Sequence, residues 1–90
     1  MAEIVVDVQF MGLIAKLAGR EREQYTLPEG TNIETLLQLI LSRHEALARG
    51  KGALFIAVNK KALPSHPPAW REHILFAGDR VMLGVKIIGG

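Results

Sequence analysis

The chain has 90 residues, 49% of them apolar, with a formal net charge of +2 and no cysteine. That length suits one domain, and that composition suits a packed core over disorder. The missing cysteine excludes disulfides, thiolate metal centres and a cysteine nucleophile, and so small a net charge gives no footing for nucleic-acid binding.

No apolar stretch approaches the ~20 residues needed to span a bilayer. The first residues carry acidic Glu3 and Asp7 and lack the basic region of a secretory signal. The expectation is a cytoplasmic protein without membrane attachment, folded as a single domain over residues 1–90.

"EIVVDVQF" alternates: Ile4, Val6, Val8 and Phe10 share one face and Glu3, Val5, Asp7 and Gln9 the other. Period two with β-branched residues predicts a half-buried strand. "MGLIAKLAG" reads as a short helical turn or an irregular continuation, closed by Gly19. "REREQYTL" predicts a more polar strand whose charges suit a sheet edge, in a hairpin with the first.

"TNIETLLQLILSRHEALARG" is the one strong helical pattern. Thr31 is the expected N-cap and Glu34 completes a capping box. Ile33, Leu36, Leu37, Ile40, Leu41 and Leu47 lie on one stripe, and Gly50 and Gly52 are the expected stop. "ALFIAVN" predicts a third strand and "KKALP" a short fourth. "SHPPAWREH" reads as a loop, because Pro67-Pro68 cannot join a ladder, with room for a helical turn near Trp70. "AGDR" is a tight turn. "RVMLGVKII" predicts the last strand, with Val81, Leu83, Val85 and Ile87 on one face.

One helix covering one face of a mixed four- to five-stranded sheet is an α+β arrangement. This order of elements is that of the ubiquitin-like β-grasp, in which the first and last strands lie parallel at the centre. The uncovered face would carry Val5, Phe55, Met82 and Ile88 beside Asp7 and Lys86. Scattered apolar side chains are ordinary surface; a contiguous patch is a docking site.

The last strand runs into Gly89 and Gly90. Residues 87–90 would form an extended arm about 13–14 Å long, thin enough for a narrow channel because glycine has no side chain. An α-carboxylate at its tip is an anion at neutral pH and a poor electrophile. ATP can activate it as an acyl-adenylate, and sulfur replacing AMP gives a thiocarboxylate. No phosphate-binding loop accompanies it, so a partner must do the activation.

"LPEGTNIETLLQLI", "AVNKKAL" and "FAGDRVMLGVKIIGG", in that order, resemble the MoaD/ThiS family of ubiquitin-like sulfur carriers over nearly the whole chain. The family includes the small subunit of molybdopterin synthase and the thiamine-pathway carrier. The resemblance implies that Gly90 is adenylated by a ubiquitin-activating-type adenylyltransferase and becomes a thiocarboxylate. It implies no bound cofactor, with ATP used by that partner. Gly89, Ile88, Ile87, Met82, Phe55 and Val5 are the expected partner contacts. The sulfur-accepting synthase would be the molybdopterin synthase large subunit or a thiazole synthase.

The first forty residues, with "FMGLIAKLAGRER", are similar to the molybdopterin type, which is the leading expectation, for a molybdenum or tungsten cofactor. The second half is similar to the thiamine carrier. Lys86-Ile87 stand where molybdopterin carriers often have a Pro-Pro pair, and Gly84 where a bulky residue is common. The alternatives are a carrier for thiamine thiazole or tRNA thiolation, a ubiquitin-like protein modifier, and, from another class, an RNA-binding β-grasp module.

The remaining polar residues read as structural. His44 belongs at the core edge, and His66 and His73, seven apart, lack metal-ligand spacing. Asp79 shapes a turn, Lys60, Lys61 and Arg20 to Arg22 are solvated, and Trp70 closes an apolar cluster. No set of nucleophile, base and oxyanion donors is visible, so an autonomous enzyme is not expected.

Overall fold

The computed structural model describes residues 2–47, 54–64 and 66–85. Strand β1 (Glu3–Phe10) is followed by helix α1 (Leu13–Ala18) and strand β2 (Arg22–Pro28). Helix α2 (Ile33–Arg43) crosses to β3 (Leu54–Val58) and β4 (Lys61–Ala62), and helix α3 (Pro67–Glu72) leads into β5 (Arg80–Val85). The strands form one sheet in the order β2-β1-β5-β3-β4. β1 and β5 are parallel and every other pair is antiparallel. The expected α+β, ubiquitin-like β-grasp is therefore present, with β5 at its centre and charged β2 at an edge.

Alternation decides which side chains meet the helix. Ile4, Val6, Val8 and Phe10 of β1 are buried, as are Val81 and Leu83 of β5 and Leu54, Ile56 and Val58 of β3. They pack with Ile33, Leu36, Leu37 and Ile40 of α2 in one core. Fully burying such a side chain contributes roughly 1.5–3 kcal/mol, so a one-residue slip of any central strand would be heavily penalised.

Four details differ from the sequence expectations. The N-cap of α2 is Asn32, whose Oδ1 accepts from the Thr35 amide at 2.8 Å. Thr31 instead donates its hydroxyl to the Pro28 carbonyl at 2.6 Å. Asn32 wins because its Nδ2 also donates to the Arg71 carbonyl at 3.1 Å, which ties α2 to α3. Glu34 pairs with Arg71 at 3.2 Å rather than closing a capping box.

Helix α2 stops at Arg43, before the glycines, and a 3-10 turn over 45–47 carries Leu47 into the core. Gly50 and Gly52 lie outside the described residues. Pro67 and Pro68 open α3 rather than a loop, since the first helical positions need no amide donor. Trp70 is buried, and its Nε1 donates to the Pro64 carbonyl at 2.9 Å. The ambiguous segment after β1 is α1, closed by Gly19 in the left-handed region.

Candidate docking surface

The outer face of β5 is built by what is missing from it. Gly84 leaves a bare position in the central strand, directly opposite Phe55 of β3. A Cβ placed there would meet only the Met11 Cβ, at 3.8 Å. The trough between them continues over Met82 and Val85 and is closed by Met11 and Leu13, giving an open groove of about 500 Å³.

The β1–α1 junction supplies that wall. The Met11 amide donates to the Leu83 carbonyl at 2.9 Å and prolongs the ladder by one residue. Gly12, at φ 54°, then turns the chain into α1, a conformation glycine adopts without Cβ strain. Ile14 turns into the core, while Leu13 is 57% exposed and Met11 40%.

Past Met82 the surface becomes polar. Gln9, Asn59, Lys60 and Arg80 line a second basin with Met82. Asn59 and Lys60 form the two-residue turn between β3 and β4, both at positive φ, 51° and 71°. The turn is stapled to β5: the Asn59 amide donates to the Arg80 carbonyl at 2.8 Å, and the Arg80 amide donates to Asn59 Oδ1 at 3.0 Å. Asn59 Nδ2 donates to Asp79 Oδ1 at 2.9 Å, and Asp79 Oδ2 accepts from the Phe76 amide. Asp79 thus organises the turn before β5.

Among the expected contacts, Met82 and Phe55 meet in the groove. Val5 is on the same face and 45% exposed, but Gln9 is the β1 residue in register with Met82. Val5 therefore sits four residues, about 13 Å, further down the sheet. Ile87, Ile88, Gly89 and Gly90 lie outside the described residues, as does the expected tail over 87–90. Met11, Leu13, Gly84 and Val85 join Phe55 and Met82 in the lining, beyond the contacts that strand alternation indicates. Leu13 and Leu17, four apart beside a buried Ile14, are the sequence signal that α1 has a second apolar side.

A separate polar cluster lies on the helix side of β2. Glu23 is only 8% exposed. Its carboxylate accepts from the Tyr25 hydroxyl at 2.8 Å, contacts His44 Nε2 at 2.9 Å and pairs with Arg20 at 3.1 Å. Burial pushes its pKa up, but the hydrogen bonds of His44 and Tyr25, with the charges of His44 and Arg20, outweigh that and hold it below the usual value. Burial, then the bond to Glu23, pushes the Tyr25 hydroxyl up to about 12. Arg43 lies 4.9 Å over the Tyr25 ring, and His44 meets Phe10 edge-on. The cluster clamps the end of α2 to the edge strand, on the opposite side of the sheet from the groove.

Among the described residues no helix is long and apolar enough to cross a membrane, and no group of three or more His, Asp or Glu could hold a metal.

The profile of the ThiS family matches residues 8–90. No curated protein matches the chain. A Pyrococcus furiosus protein assigned as molybdopterin converting factor, subunit 1, is 28% identical over 93% of this chain and 99% of its own, with a TM-score of 0.77. Small archaeal modifier protein 1 of H. volcanii gives the same TM-score, 0.77, at 16% identity, over 93% of this chain and 99% of its own. Molybdopterin-converting factor of Helicobacter pylori, solved as a complex of its subunits 1 and 2, matches with a TM-score of 0.63 and 24% identity, covering 97% of this chain and 100% of that one. The last two likenesses bear on the fold alone.

Proposed function

Because the chain belongs to the ThiS family of ubiquitin-like sulfur carriers and modifiers, in which a small carrier works with partner proteins rather than as a catalyst itself, we propose that it carries sulfur as a thiocarboxylate on Gly90. The observation that carries this is the extent of the family match, which runs through Gly89 and Gly90. The similarity to the Pyrococcus furiosus protein favours molybdopterin as the destination.

The chemistry is a two-step acyl substitution. The Gly90 carboxylate oxygen attacks the α-phosphate of ATP on a partner adenylyltransferase, and pyrophosphate leaves. A hydrosulfide equivalent then attacks the acyl carbon, the bond to AMP breaks, and the C-terminus becomes a thiocarboxylate. The partner supplies the nucleotide site. The carrier supplies a rigid handle, with the groove of Met11, Leu13, Phe55, Met82, Gly84 and Val85 as its docking face toward the adenylyltransferase and then the molybdopterin synthase large subunit. A thiazole synthase as acceptor is the second reading, favoured by the "VKIIGG" ending.

Incubation with ATP, a sulfide source and the cognate adenylyltransferase should raise the intact mass by the difference between sulfur and oxygen. Deleting Gly90 should abolish that change and leave the melting temperature where it was. A mass increase that survives the deletion, or a branched conjugate formed without any thiocarboxylate, would refute the carrier chemistry. Transfer of the sulfur to a molybdopterin precursor or to a thiazole precursor separates the two destinations.

A further inference from the structure

The turn between β3 and β4 sets a lysine where backbone geometry favours glycine. A two-residue turn with both residues at positive φ takes Asn first and Gly second. Asn59 fits, but Lys60 stands at the second position with φ 71°. A non-glycine residue there strains the backbone, and such strain points to a use for the side chain.

The surroundings say what that use is. The three hydrogen bonds between Asn59 and the start of β5 fix the turn against Arg80. Lys60 and Arg80 consequently line one basin, and neither has an ion-pair partner among the described residues. Arg22 stands across Gln9 on the same face. The acidic side chain in register with Arg80 is Asp7, and it accepts from Gln24 at 3.1 Å. Asp79 is engaged by Asn59 and by the Phe76 amide. Lys60 and Arg80 thus put two cationic side chains on one basin, which an anionic group on a partner would complement. The basin also shares Met82 with the apolar groove, so a body seated in the groove reaches the cations.

We infer that Lys60 and Arg80 are the specificity contact for an acidic rim on the adenylyltransferase that docks in the groove, an extension that rests on the carrier reading above. A protein fits both surfaces, since a polynucleotide backbone would satisfy the cations and leave the groove of Met11, Leu13 and Phe55 uncovered.

The test measures pyrophosphate exchange by the adenylyltransferase of the same organism, with full-length carrier as the varied substrate. Lys60→Glu should raise KM about tenfold and leave kcat unchanged, as loss of a rim charge does. The gap should close as salt shortens the ~8 Å screening length. Lys60→Gly should raise KM less while raising the melting temperature by about 4–8 °C as the strain is released. An unchanged KM for Lys60→Glu overturns the contact but leaves the carrier reading intact. No exchange with the wild-type chain removes the carrier reading and this contact with it. Salt-steep binding of a poly(U) 20-mer, lost in Lys60→Glu while KM stays put, overturns it in favour of nucleic acid.

Discussion

Among single side chains, the buried carboxylate of Glu23 makes the sharpest statement about stability. Its pKa is depressed in the fold, so its contribution is complete above the ordinary glutamate value of ~4.3. That contribution is lost as pH falls through the depressed native value. Urea melts across pH should show Glu23→Gln losing part of this acid-side slope. Glu23→Ala, which strands Tyr25 and His44, should cost about 1–3 kcal/mol at neutral pH. Tyr25 acts in the opposite sense. Its raised pKa keeps its contribution whole below ~10 and removes it as pH climbs through about 12. Little of this was legible in "REREQYTL". Glu23 reads there as one more edge charge, and its partner His44 is 21 residues away.

At the element scale, α2 shows where local rules stop. The stripe of Ile33, Leu36, Leu37 and Ile40 follows from helical period alone, and all four are buried. The cap does not follow. The sequence points to Thr31, because Glu34 stands three residues on. The position of α3 decides for Asn32, whose amide group reaches Arg71. Asn32→Ala should therefore cost about 1–2 kcal/mol by urea denaturation, at the upper end for a cap, and Thr31→Ala should cost less. The proline pair follows the same logic. It forbids a strand, and only the neighbouring packing of Trp70 turns that prohibition into the start of a helix.

At the scale of the whole molecule, the sheet separates two tasks by its two faces. The helix side holds the fold and the outer side presents the groove. Leu13→Lys, at an exposed position, should shift unfolding free energy by no more than about 0.5 kcal/mol and still weaken association with the adenylyltransferase. Ile40→Ala, in the core, should cost about 2–5 kcal/mol. A Leu13→Lys variant that docks as well as the native chain would show that the groove is not the contact surface.

Spacing along the chain is enough to set the faces of the strands and the stripe of α2. Those depend on spacings of two to four residues, which the backbone repeats impose wherever the chain lies. Only the packed fold brings Met11, Phe55 and Gly84 to one trough, leaves Val5 away from it, and ties the Asn59–Lys60 turn to Arg80. Each of these depends on how strands pair across the sheet, between segments 23 to 73 residues apart. Such registers are settled by burial of the whole core at once, and no local pattern encodes them.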